Sequence, residues 1–175
     1  MHVALVGLSG SGKSTVGPLL AAMLGLRFVD TDREVERVAG MPIHRIFETR
    51  GEPGFRALEA DQVRRALDAP PSVISLGGGA VLNPENRRLV WERALVIWLH
   101  ADPGVLAQRL RENPTGEPRP LLDAPDPAGR LAELLAARQP LYAAAHLRSD
   151  ASTRGPHEIA AALLDAIGTF PATQG

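Results

Sequence analysis

An α/β fold, with a mostly parallel sheet covered by helices on both faces, is what this sequence predicts, and three observations predict it. Short apolar runs recur along the chain, a helical stretch separates each from the next, and the first run closes on a glycine-rich loop that opens into a helix. Strands alternating with helices are joined by right-handed crossovers, which make neighbouring strands parallel. At 175 residues, 45% of them hydrophobic and 22% charged, the chain suffices for one domain with a sizeable core, residues 1–175.

Val3-Ala4-Leu5-Val6 is the first strand, stopped by Gly7, and Lys13 to Leu24 the first helix, stopped by Gly25. A second strand at 27–29 leads to helices at 32–39, 42–49 and 55–67. A third strand at 73–76 leads to a helix at 84–91, and a fourth at 95–99 to helices at 103–111 and 127–138. A fifth strand at 146–148 leads to a helix at 157–167. Several of these helices have proline in the first turn, where its missing N–H has no intrahelical partner to lose. The last aligns Ile159, Leu163, Leu164 and Ile167, an apolar face suited to docking on the sheet. Residues 112–120 lack periodicity and are rich in Pro and Gly; a loop of that length in a small domain is a lid or a disordered segment, here spanning about 110–126. The tail 171–175 reads as frayed.

Composition narrows the function. Net charge is −1, so no global basic field argues for nucleic acid, and any anion site must come from locally placed arginines; small-molecule partners are expected. With no cysteine there is no disulfide framework, thiolate metal site or cysteine nucleophile. The N-terminus reaches its glycine loop too soon for a signal sequence or membrane span, so a soluble cytoplasmic protein with no membrane partner is expected. Of the 19 lysines and arginines only Lys13 is a lysine. Either chance put it there, or that site needs a compact ammonium rather than a planar fork.

Lys13 ends a motif. Gly7-Leu8-Ser9-Gly10-Ser11-Gly12-Lys13-Ser14 fits G-x-x-x-x-G-K-[ST] between a strand and a helix, the context that motif requires. Glycines let the backbone turn several N–H groups inward onto phosphate oxygens, and the helix that follows adds the positive end of its dipole. A polyphosphate is the ligand such a loop holds: Lys13 reaches the β- and γ-phosphates, and the Ser14 hydroxyl ligates Mg²⁺. The loop does not choose an acceptor, because GTPases, ATPases and small kinases share it.

The acceptor side must be read elsewhere. Asp30-Thr31-Asp32 follows the second strand, at the end where open α/β sheets place ligands. Asp30 is suited to hold Mg²⁺ through water and Asp32 to accept a hydrogen bond from an attacking hydroxyl; alternatively, Asp32 simply caps the next helix. Gly77-Gly78-Gly79 follows the third strand, either as bare backbone approached closely by a ligand or as a flexible turn. Arg56 and Glu59 are three apart on one helix face, so the acid orients the guanidinium or the two form an ordinary surface pair.

Together these residues resemble the shikimate kinase family. The glycine loop, Asp30-Thr31-Asp32, Phe55-Arg56, Gly77-Gly78-Gly79-Ala80, Arg119-Pro120-Leu121-Leu122 and Arg138-x-Pro-Leu-Tyr142 fall in that family's order and approximate spacing. The resemblance implies a three-layer α/β/α P-loop fold with a five-stranded parallel sheet, substrate-binding helices at about 31–60 and a mobile lid. It implies ATP as co-substrate with Mg²⁺, shikimate as acceptor through its 3-hydroxyl, and a monomer. Gly10, Ser11, Gly12, Lys13, Ser14 and Thr15 would hold the phosphates, Ser14 and Asp30 (through water) the metal. Arg109 would stack on adenine, with Arg154 and Pro156 on its other side. Arg56 and Arg138 would clasp the acceptor carboxylate. Asp32 with the backbone of Gly78 and Gly79 would hold the ring hydroxyls, Gly77 would also belong to the substrate site, and Glu59 would orient Arg56. Phe47 and Phe55 would wall the pocket, though core packing explains them equally. Arg119 would close from the lid onto the phosphates. Lys13, Asp32 and Arg119 are the catalytic candidates, with charge neutralisation ranked above proton abstraction by Asp32. Two rivals are carried: another small-metabolite kinase such as a gluconate kinase, and a non-catalytic nucleotide-binding module.

Overall fold

The structure is a computed structural model, and it describes residues 1–112 and 125–170. Five strands, β1 (His2–Val6), β2 (Arg27–Asp30), β3 (Ser72–Ser75), β4 (Ala94–His100) and β5 (Leu147–Asp150), form one sheet in the order β2-β3-β1-β4-β5. Every pairing is parallel, as the alternation of strands and helices predicts. All residues of β1 and β3 are buried in sequence. Continuous burial, rather than alternation, is the signature of a sheet covered on both faces. Among the described residues seven α-helices do the covering: α1 (Lys13–Leu24), α2 (Thr31–Ala39), α3 (Ile43–Asp68), α4 (Pro84–Arg93), α5 (Pro103–Glu112), α6 (Pro127–Tyr142) and α7 (Pro156–Thr169). The core centres on β1 and β4, where Ala4, Leu5, Val96, Ile97 and Leu99 are fully buried. Among the described residues, no helix is long and apolar enough to cross a membrane.

Several boundaries move, each for a local reason. Helix α2 begins one residue early, at Thr31, because Asp30 is its cap: the Asp30 carboxylate accepts from the Asp32 and Arg33 amides. The capping role left open for Asp32 thus falls on its neighbour. The predicted helices 42–49 and 55–67 are the two helical segments of α3, separated by the non-helical Gly51 (φ 67, ψ 178). That conformation is open almost solely to glycine. Pro53 then lies in the first turn of the second segment, where proline is tolerated. Strand β5 starts at Leu147 rather than His146, because the His146 ring, not its backbone, accepts from Val96 N at 2.9 Å. Helix α6 runs past Pro140 to Tyr142, well beyond the predicted end at residue 138. Of the predicted lid 110–126, residues 110–112 are the last residues of α5, and 113–124, Arg119 among them, lie outside the described residues.

Candidate active site

Because the sheet is parallel, the loops leaving β1, β2, β3 and β4 all emerge along one edge. The first is the glycine loop, where Gly7, Gly10 and Gly12 all take positive φ. A side chain on Gly7 would strike the Leu99 carbonyl of β4, its Cβ only 2.5 Å from that oxygen. Lys13, the first residue of α1, is buried and folds back to donate to the carbonyls of Gly7 (2.7 Å) and Leu8 (2.9 Å). Burial pulls its pKa down to about 8, the nearby Arg138 acts in the same direction, and Asp32 and Asp30 oppose it. Beside it the Ser14 hydroxyl donates to the Asp30 carboxylate at 2.8 Å, so the two proposed metal ligands already stand together.

The second and third loops meet across the sheet edge. Thr31, fully buried, donates its hydroxyl to Ser75 O at 3.2 Å and accepts from Gly77 N at 3.1 Å. Asp32 turns a buried carboxylate oxygen into the site, where Oδ1 has no hydrogen-bond partner among the described residues. Its pKa is pushed up to about 6, chiefly by burial and then by the like charges of Asp30 and Glu59, against the pull of Lys13. From α3, Arg56 donates to Glu59 at 2.8 Å and more weakly to Glu52. Glu59 is 1% exposed, which rules out the surface-pair alternative. Phe55 packs with Val35 and Ile46 in a small second core and carries the Arg56 guanidinium 5.2 Å above its ring. Phe47 stacks on Phe55 at 4.8 Å and is 39% exposed.

The three glycines tie these pieces together. A Cβ on Gly77 would lie 2.5 Å from Asp32 Oδ1 and 3.0 Å from Glu59 Oε1. On Gly78 it would meet Ser9 N, Gly7 O and Arg138 Nη1 at 3.4 to 3.6 Å, and on Gly79 the Arg56 guanidinium at 2.7 Å. The turn therefore touches the phosphate loop, the buried acids and both arginines in consecutive residues. Arg138, on α6, donates to Gly78 O at 3.0 Å, and the Tyr142 hydroxyl donates to the same oxygen at 2.7 Å. On the far side of the loop, Arg109 of α5 donates to Ala151 O, joining α5 to the segment after β5 where Arg154 and Pro156 are exposed.

A phosphate cradle, a buried acid and two guanidiniums beside one bare turn are what a kinase for a hydroxylated acid needs. The family model for shikimate kinase matches residues 9–168. The chain belongs to the shikimate kinase family. A shikimate kinase of Symbiobacterium thermophilum is 49% identical over 166 residues, covering 94% of this chain and 95% of that one. A shikimate kinase of Nitrobacter winogradskyi is also 49% identical, over 89% of this chain and 71% of its own. Among solved structures, the shikimate kinase from Acinetobacter baumannii in complex with shikimate superposes with a TM-score of 0.90 at 34% identity, covering 98% of this chain and 95% of that one. The gluconokinase from Sinorhizobium meliloti, at TM-score 0.59 and 20% identity, shares the fold alone. The activity is the family's, an ATP-dependent kinase acting on a hydroxyl of shikimate.

Of the residues singled out from the sequence, Lys13, Ser14, Asp30, Asp32, Arg56, Glu59, Gly77, Gly78, Gly79 and Arg138 converge on this edge of the sheet. Two that line it were assigned no role. Thr31 lies between the acids and Tyr142 closes the Arg138-x-Pro-Leu-Tyr142 segment, so both were in view as motif members; what they bond to was not.

Proposed function

We propose that the chain transfers the γ-phosphoryl group of ATP to the 3-hydroxyl of shikimate, with Asp32 aligning that hydroxyl and Arg56 and Arg138 holding the carboxylate. The carrying observation is the triple-glycine turn, whose consecutive residues abut Asp32, the phosphate loop with Arg138, and Arg56. Guanidiniums pair with a carboxylate through forked hydrogen bonds, and bare backbone admits a ring edge-on where any side chain would block it. Glu59 holds Arg56 in place for that contact. The hydroxyl oxygen bonds to the γ-phosphorus as the bond to the β-phosphate bridging oxygen breaks. ADP leaves, and the hydroxyl proton passes late to Asp32, whose raised pKa suits it to receive one. Lys13 exchanges its loop carbonyls for phosphate oxygens and neutralises charge on the transferring group. Arg119 is assigned the same task on the family resemblance.

The residues present fit Mg²⁺. Ser14 and Asp30 supply a hydroxyl and a carboxylate side by side, and among the described residues no three acidic, histidine or cysteine side chains cluster as a cage. A hard cation bound by few protein ligands completes its shell with phosphate oxygens and water. When bound, it would draw charge from the phosphates.

A coupled assay for ADP release tests the assignment. Release should require shikimate; release driven by gluconate instead would point to the other small-metabolite kinase, and nucleotide binding with no release to a binding module.

A further inference from the structure

Three consecutive glycines make the least constrained backbone a chain can have, yet the acceptor has to be met by a fixed surface. What holds this turn comes mostly from outside it. Inside, the Ala80 and Leu82 amides donate to Gly77 O and Gly79 O at 3.0 Å, which shapes the exit of the turn. The entrance and the middle, Gly77 N and Gly78 O, are gripped by side chains 46 and 64 residues away: Thr31 accepts from Gly77 N and Tyr142 donates to Gly78 O. Both side chains are buried, Thr31 to 0% and Tyr142 to 1% exposure. Neither hydroxyl is free to be replaced by water. Thr31 is also anchored at its other end, on Ser75 O of β3, so it fixes the turn relative to the strand it leaves.

Tyr142 acts on more than the turn. Gly78 O accepts from Tyr142 and from Arg138, so the carbonyl that Tyr142 aims is the one that orients the Arg138 guanidinium. The Tyr142 ring is itself held, 5.8 Å from the Trp98 ring of β4. Burial raises the phenol's pKa, so it stays protonated and keeps donating across the neutral range.

We infer that Thr31 and Tyr142 are positioning residues for the acceptor: a pair of buried hydroxyls holds the Gly77-Gly78 segment at its two ends, Gly77 N and Gly78 O, and, through Gly78 O, sets Arg138. The inference rests on the acceptor assignment above and extends it to residues that do not touch the substrate. Neither hydroxyl bonds directly to the phosphate loop, so the clamp acts first on the acceptor side.

The test uses the intact protein and four forms of it: wild type, Tyr142→Phe, Thr31→Val and Thr31→Ser. Without substrate, amide hydrogen exchange at Gly77 should quicken on the order of tenfold in Thr31→Val, the effect of losing one buried hydrogen bond, and return toward wild type in Thr31→Ser. In steady state, Tyr142→Phe and Thr31→Val should raise the shikimate KM roughly tenfold while the ATP KM stays within about twofold, and Thr31→Ser should recover. Unchanged Gly77 exchange in Thr31→Val, or an unchanged shikimate KM in both variants, would overturn the clamp. So would a parallel rise in both KM values accompanied by a lowered Tm, which marks a merely structural role. The acceptor assignment fails separately: wild-type enzyme that releases ADP without regard to shikimate sinks it whatever the exchange rates show.

Discussion

Lys13 and Asp32 are displaced from their ordinary pKa values in opposite directions by one cause, burial beside the phosphate loop. In the proposed reaction the acid must be ionised to accept a hydrogen bond from the acceptor hydroxyl, and the amine must keep its proton to neutralise phosphate. For the free enzyme, kcat/KM should therefore rise with pH through about 6 and fall above about 8. In Asp32→Asn the acid limb should vanish and the alkaline limb remain, as a pH–rate profile will show. The same substitution ranks the chemistry. A general base contributes about 10²–10⁴-fold; if alignment is instead the main service of Asp32, its loss costs much less in kcat than Lys13→Ala, and equal losses would refute the ranking. Linkage adds a stability test. Asp32 holds its proton to higher pH in the folded state than in the unfolded chain. The stability this contributes is full below the unfolded value of 3.8 and lost as pH rises through about 6. Asp32→Asn should accordingly gain Tm over wild type at neutral pH, an advantage that shrinks toward pH 4, measurable by thermal melts across that range.

Helix α3 and the glycine turn show how elements place these groups. The break at Gly51 lets the two segments of α3 serve two directions, the first packing Ile46 into the small second core and the second presenting Arg56 and Glu59 to the site. Gly51→Ala forces a side chain into a backbone region that only glycine visits freely, and should cost about 1–3 kcal/mol, read as a lowered denaturation midpoint. The glycine turn is limited by contact rather than by φ. A methyl group on Gly79 would press on the end of the Arg56 side chain. Gly79→Ala should therefore fold and bind ATP normally while raising the shikimate KM, which steady-state kinetics will separate. The break between the two segments of α3 was legible, because Gly51 to Gly54 carries the composition of a loop. The long reach of α6 was hidden by Pro140, beyond which Tyr142 still belongs to the helix.

Across the whole molecule, the strand order β2-β3-β1-β4-β5 sets the glycine loop after β1 beside the loops after β2 and β3, since β1 and β2 flank β3. The proposed donor and acceptor sites thus share one edge. Water competes for the γ-phosphoryl group, so ATP turnover should be slow until shikimate is added; equal turnover without it would contradict a substrate-gated enzyme. The composition offers a direct probe of nucleotide placement. With a single lysine, amine-reactive labelling should mark only Lys13 and the N-terminus, and Mg-ATP should protect Lys13 selectively, a pattern that peptide mass mapping will reveal.

Local chemistry was legible in the sequence by itself. The run from Val3 through Gly12 to Ser14 specifies a strand, a phosphate-binding turn and a helix start, because each depends on residues a few positions apart. The order of loops, acids and arginines sufficed for the family resemblance. Only the tertiary structure decided what Thr31 and Tyr142 bond to. A buried hydroxyl has the same hydrophobic pattern around it whether it merely packs or holds a distant backbone atom. Its partner is chosen by strands and helices brought together across 46 or 64 residues, a distance over which periodicity carries no information.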